Sequence, residues 1–295
     1  MRFSKIVYPN YINYIKSKNA MKKIIALFLV IFYISVSNAQ TTSDNTASEI
    51  KQMTDSLTTE QKALIFSITE QVMLNTVDSA MNEGLYMKAL EFLDSIQVNW
   101  KKVTGKEPTY QMYLRKSNIL MNLEEWQELV LTTEECLRIH KEVIPEKIAA
   151  LTYSMQGSAY RNLKNYKSAI RSYEYALSKY NRVGDFGSQG DMMCSMANCY
   201  DQIGKVSMAS TLYEKGLAKF LKYFGTTRSS LLKGIFTVND SYMKVVLGVF
   251  SVHLFEMAVH EQNNGDRIAS KDYLKMSANC GNGQAKSEYK RIYGY

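Results

Sequence analysis

The sequence predicts an all-α fold, a solenoid of antiparallel helix pairs, and three observations carry that expectation. The 295-residue chain is 46% hydrophobic and 22% charged, with only 3 prolines and 15 glycines, so helix breakers are scarce and the composition is that of a folded protein. From about residue 59 onward apolar residues recur at helical spacing, and no alternating stretch is long enough for a strand. The chain also aligns with itself at a period of 40 residues, in four gapless frames starting at Glu70, Tyr110, Ala150 and Gly190. A disordered or collagen-like chain needs far more Pro, Gly and charge, and a disulfide framework needs more than 4 cysteines in this length.

The first segment speaks to compartment. Residues 21–40, MKKIIALFLVIFYISVSNAQ, have the three parts of a secretory signal peptide: Lys22 and Lys23, an apolar run from Ile24 to Val36, and Ser37-Asn38-Ala39 before Gln40. An apolar run of about 13 residues falls short of the roughly 20 that span a bilayer, so cleavage after Ala39 is expected, with no stable membrane insertion afterwards. The expected destination is a periplasm or the cell exterior. The nearest cysteine to the junction is Cys136, so the diacylglyceryl-cysteine route to a lipoprotein is closed. Residues 1–20 carry Arg2, Lys5, Lys16 and Lys18 ahead of a second methionine; an upstream start codon wrongly chosen explains them more simply than a long charged leader. Residues 1–39 hold 6 basic and no acidic residues, so removing them from 36 basic and 28 acidic lowers the net charge from +8 to +2. A nearly neutral mature chain without a clustered basic stripe gives no electrostatic reason to bind nucleic acid.

Residues 40–58 open with the polar stretch QTTSDNTAS and read as a linker. Thr58-Thr59-Glu60-Gln61 then forms a plausible capping box for the first long helix. Residues 59–225 hold the four repeats. Early in each second helix stand Tyr86, Trp126, Tyr166 and Val206, followed three residues later by Ala89, Leu129, Ala169 and Ala209 on the same helix face. Leu93, Thr133, Tyr173 and Tyr213, then Ile96, Cys136, Ala176 and Gly216, continue the stripe. In the first helices Val77, Ser117, Gly157 and Ala197 precede Ala80, Leu120, Tyr160 and Tyr200, so small residues face large ones across each pair. Pro108 and Pro145 fall late in their frames, where one pair ends and the next begins. Asn82-Glu83-Gly84 and Gln202-Ile203-Gly204 mark turns inside a pair.

The stretch Ala150–Val183 closely resembles a tetratricopeptide repeat (TPR): Tyr153, Gly157, Tyr160, Leu163, Tyr166, Ala169, Tyr173 and Ala176 stand where that family places its large and small packing residues. The frame at Gly190 resembles it well, the frame at Glu70 mainly in its second helix, and the frame at Tyr110 most loosely. The family period is 34 residues, so 40 implies longer helices or longer turns between repeats. Asn181 replaces the proline that the family favours at the end of a repeat. The register breaks after Phe224-Gly225. A helical pair is expected again from about Phe250, where Gly265, Ala269, Tyr273, Leu274, Ala278, Gly281 and Ala285 resemble a divergent or Sel1-like unit, making residues 226–295 a C-terminal repeat and cap. The resemblance implies a right-handed superhelical solenoid whose first helices line a concave, partner-binding surface.

Motifs of catalysis are missing: GxGxxG, a Walker-type loop, HExxH, GxSxG and CxxC are all absent. No cofactor or metal site is expected. His140 stands alone. His253 and His260 are two turns apart, about 10 Å, too far to share one metal, and both fall in the columns of Tyr153 and Tyr160, which favours packing roles. Cys136, Cys194, Cys199 and Cys280 are even in number in an exported chain, but Cys194 and Cys199 diverge by roughly 140° around one helix and cannot bridge each other.

Two polar rows are the candidate partner-binding residues: Asn82, Asn122, Asn162 and Gln202 at the ends of the first helices, and Asp78, Asn118, Ser158 and Asn198 four residues earlier. A row of amides can hydrogen-bond the backbone of an extended peptide; Asn is equally common as a helix-ending residue that caps carbonyls. The family's best-known peptide binders grip a terminal carboxylate with lysines and asparagines. Here the corresponding face carries Leu74, Leu114, Ser154 and Cys194, without lysine, so that docking mode is unsupported. The expectation is an exported interaction scaffold for a protein or peptide, without catalysis. The alternatives are an enzyme or carbohydrate-handling groove, which would need Asp78, Asp191 and Asp201 to converge, and self-assembly, for which the apolar run Val245–Phe255 is a candidate docking face unless it is a buried capping helix.

Overall fold

The structure is a computed structural model that describes residues 59–294, apart from the side chains of residues 59–69, 102 and 103. The signal peptide, the polar linker and the Thr58 end of the capping box therefore lie outside the described residues. Among those described there are twelve helices and no strand: α1 (Thr59–Asn82), α2 (Tyr86–Thr104), α3 (Tyr110–Asn122), α4 (Trp126–Ile139), α5 (Glu146–Asn162), α6 (Tyr166–Val183), α7 (Phe186–Gln202), α8 (Val206–Phe224), α9 (Arg228–Lys233), α10 (Ser241–Asn263), α11 (Arg267–Asn279) and α12 (Gly283–Tyr293). The fold is all-α and TPR-like, and it forms two compact units that divide between Glu124 and Glu125.

The period is visible in the helix ends. Second helices start at Tyr86, Trp126, Tyr166 and Val206, and first helices end at Asn82, Asn122, Asn162 and Gln202. Each intervening turn has a left-handed residue at the same place: Gly84 and Gly204 at φ +74°, Glu124 and Lys164 at φ +59°. Glycine adopts that conformation freely, whereas the two side-chain-bearing residues carry a steric cost of about 1 kcal/mol each. In the third repeat the six residues beyond the usual family period lengthen the helices, since α6 runs 18 residues and only Gly184-Asp185 separates it from α7. Pro145 is the N-cap of α5, as a pair boundary requires.

In the first unit α1 packs on α2 and α3 around Leu74, Val77, Ala89, Leu93, Ile96 and Met112, all fully buried. Arg115 clamps Asp78 through two hydrogen bonds of 2.9 Å, joining α3 to α1 in fork-to-fork geometry. In the second unit α5 lies against α6 because Gly157 has no side chain: a Cβ there would fall 2.6 Å from the Tyr173 ring. Gly190 does the same for Phe220 between α7 and α8, at 2.8 Å. Ala169 and Ala209, the small residues of the periodic stripe, are fully buried.

The helical pair of the C-terminal part begins earlier than the sequence suggests. Asp240 accepts a hydrogen bond from the Met243 amide and starts α10 at Ser241, not near Phe250, because Tyr242 to Val249 already have helical spacing once a cap precedes them. This helix packs on α7, α8 and α11, burying Phe250, Leu254 and Met257 while Tyr242, Val245, Val249, Val252 and Val259 remain exposed. By length and composition α10 could cross a membrane, but Phe250, Leu254, Met257 and Ala258 are buried in the protein's own core. The last helix, α12, buries Ala285 alone and carries Lys286, Lys290 and Arg291, the polar character of a terminal cap. All four cysteines are buried free thiols; burial pushes Cys136 and Cys280 up to about 12 and Cys194 well above its ordinary value, so none is a reactive thiolate.

Candidate functional site

Each row of candidate residues behaves as a set. The row that ends the first helices, Asn82, Asn122, Asn162 and Gln202, is exposed at every position, and the row four residues earlier, Asp78, Asn118, Ser158 and Asn198, is half-buried at every position. Asn122 donates to the Asn118 carbonyl at 2.8 Å and Asn162 to the Ser158 carbonyl at 2.9 Å, so both cap their own helices. The earlier row engages neighbours: Asp78 takes Arg115, Ser158 Oγ lies 3.2 Å from the Tyr173 hydroxyl, and Asn198 donates to Glu256 at 3.2 Å.

That last contact belongs to a larger polar cluster between α7 and α10. α10 lays His253 and His260, both 4% exposed, against α7. His253 lies 2.9 Å through Nε2 from Asp191 and 2.7 Å through Nδ1 from Glu256, while Asn198 occupies the other Glu256 oxygen. Burial by itself would favour the neutral ring, but the hydrogen bonds to Asp191 and Glu256 outweigh it and raise the His253 pKa to about 9, so the imidazole is charged at neutral pH. His260 Nδ1 lies 2.8 Å from both Asp201 oxygens, and its Nε2 lies 2.7 Å from Ser210 Oγ and 3.1 Å from Asn264 Nδ2. Burial pushes the Asp201 carboxyl up, with His260 opposing.

These two histidines are buried, as packing residues should be, but the columns of Tyr153 and Tyr160 do not convey that both also act as polar links. Asp191 and Asp201, scattered along the sequence, are brought beside α10 and its Glu256 once that helix docks; Asp78 is bound to Arg115 within the first unit. Glu256 itself escaped the sequence reading. The available signal was His253, Glu256 and His260 at i, i+3 and i+7, three titratable residues on one side of the largely apolar stretch of residues 245–260.

The order Asp201, His260, Ser210 is that of a serine nucleophile relay. Ser210, however, directs its hydroxyl to the Val206 carbonyl at 3.2 Å, and Asn264 shares the imidazole nitrogen, so the group ties α7, α8 and α10 together. Among the described residues no group of three or more His, Cys, Asp or Glu is placed to hold a metal ion.

Beside this cluster, α7, α8 and α10 enclose an open cavity of about 290 Å³. Asn198 and Gln202, one residue from each candidate row, line it with Asp201, Glu256, Asn263 and Asn264, and Val206, Phe255 and Val259 supply apolar wall. Of the eight candidate residues, the structure brings these two to a common site.

The fold has solved counterparts. Over 94% of this chain and 93% of the other, it is similar to BtubC (BKLC) from P. vanneervenii, with a TM-score of 0.54 and 13% sequence identity. Its fold is TPR-like. Over 74% of this chain and 95% of the other, it is also similar to a protein described as a kinesin light chain of Podosopora anserina with nearly identical TPR-like repeats, with a TM-score of 0.54 and 17% identity. No protein-family model matches the chain, and no curated protein matches it by sequence. The likeness to these solved structures is one of fold, at 13% and 17% sequence identity.

Proposed function

We propose that the protein is an exported interaction scaffold that holds an extended segment of a protein partner, with no catalysis of its own. The observation that carries this reading is the cavity between α7, α8 and α10, where Asn198 and Gln202 combine carboxamide donors and acceptors with the acceptor oxygens of Asp201 and Glu256. The TPR-like fold supports it, because each helix pair presents side chains of its first helix at a regular spacing along the chain. Export rests on the signal-peptide pattern of residues 21–40.

In-cell cross-linking of the tagged full chain, with mass spectrometry of the captured proteins and of the mature N-terminus, tests the proposal. Recovery of Gln40 as the N-terminus and of a small set of exported proteins, lost on changing Asn198 and Gln202 to Ala, is the expected outcome. Capture unaffected by those substitutions would remove the site, and an unprocessed N-terminus would remove export. A second reading, self-association, is favoured by the exposed valines of α10; sedimentation of the purified protein distinguishes it, since a dimer dispersed by Val252→Asp would replace the scaffold reading for that face.

A further inference from the structure

The cavity between α7, α8 and α10 has the two chemistries of one kind of side chain. Its walls at Val206, Phe255 and Val259 are apolar, and its polar end carries the Asp201 and Glu256 carboxylates, whose side chains are 22% and 21% exposed. No lysine or arginine lines it. A carboxylate accepts about four hydrogen bonds. Glu256 takes one at each oxygen, from Asn198 and His253, and both Asp201 oxygens share the single His260 nitrogen, so acceptor capacity remains on both. The volume of about 290 Å³ accommodates one long side chain.

Resting on the scaffold reading above, we infer that this cavity takes an arginine or lysine side chain of the partner segment, its methylene stem packed on Val206, Phe255 and Val259 and its cationic head on Asp201 and Glu256. Long basic side chains are amphipathic in this way, apolar along the stem and charged at the tip. Charge-assisted hydrogen bonds to a partly buried carboxylate are the strong kind, and they orient the segment as well as hold it. The partner is therefore a basic segment, opposite in charge to the acidic peptide ends for which the sequence already lacks lysines.

A positional-scanning library of acetylated, amidated decapeptides, presented to the full chain and to two variants of the exposed rim residue Asn263, tests this. Arg or Lys is expected to be selected at one position. Asn263→Lys should weaken the selected peptides about tenfold and Asn263→Asp should tighten them. Both variants leave the His–carboxylate cluster intact, and thermal unfolding confirms that they fold. Peptides bound without a basic preference, or bound equally by the three proteins, would overturn the inference and leave the scaffold reading standing. No peptide bound by any of the three would overturn both.

Discussion

Between α5 and α6 the buried contact is uncharged and close: Gly157 admits the Tyr173 ring, Ala169 and Ala176 are fully buried beside it, Ser158 meets the Tyr173 hydroxyl and Ser172 donates to Gln156, while the ion pairs of Glu146 with Lys179 and Arg182 stay partly exposed. Between α7 and α10 the contact is polar, and at His253 it is ionic: His253 is held by Asp191 and Glu256, and His260 by Asp201. The centre of the first interface is a matter of shape, set by glycine and alanine against an aromatic ring. The second depends on the protonation of His253, with Arg161 as a further cation acting on Asp191 and Glu256. A repeat pair and a terminal element are thus joined by different forces within one compact unit.

Four experiments would break or sharpen that contrast. The largest effect is expected from His253→Ala, which removes the ring that both Asp191 and Glu256 hydrogen-bond and leaves Arg161 as their cationic neighbour; removing one member of a buried charge set costs on the order of 3–5 kcal/mol, read as a lower urea midpoint. A loss under 1 kcal/mol would show that the cluster is solvated in practice. Next is pH. Because the folded pKa of His253 lies above its ordinary 6.5, the stability it contributes is fully present below about pH 6.5 and is lost as pH rises towards 9, by roughly 3 kcal/mol at most. Urea midpoints should fall across that window in the parent protein and stay flatter in His253→Ala, while a variant of the α5–α6 contact keeps the parent's slope. Third, Gly157→Val forces a side chain into the Tyr173 ring, and Ala169→Leu overfills the neighbouring contact; each should cost about 1–3 kcal/mol with no change in pH slope. The smallest effect is a gain: Glu124→Gly and Lys164→Gly release left-handed side-chain-bearing residues and should raise stability by roughly 0.5 kcal/mol each, whereas Gly84→Ala and Gly204→Ala should lower it.

The two interfaces also differ in how far the sequence reveals them. Gly157 opposite Tyr173 and Ala169 three residues after Tyr166 are legible because the same small and large residue types recur every 40 residues, and a packing rule repeated four times stands out from one chain. The turn residues are half legible: Gly84 and Gly204 announce a left-handed turn, but Glu124 and Lys164 occupy the same geometry without the residue that signals it. The α7–α10 cluster is not repeated, so no column reveals it. Asp191 and His253 lie 62 residues apart, Asp201 and His260 lie 59 apart, and only the docking of a helix outside the 40-residue register makes them neighbours. The candidate rows divide in the same way: their exposure pattern follows helix periodicity, whereas the meeting of Asn198 and Gln202 with Glu256 and Asn263 around one cavity required α10 to be in place.

By itself, then, the sequence determined the all-helical repeat, the phase of its turns and the small-to-large packing inside each pair, because helix periodicity and the need to bury one face are local and act at every repeat. The tertiary structure alone decided where α10 begins its packing, which carboxylates the two histidines meet and where a cavity opens beside them. Those outcomes depend on contacts between helices distant in sequence, and a single buried ion pair leaves no periodic trace.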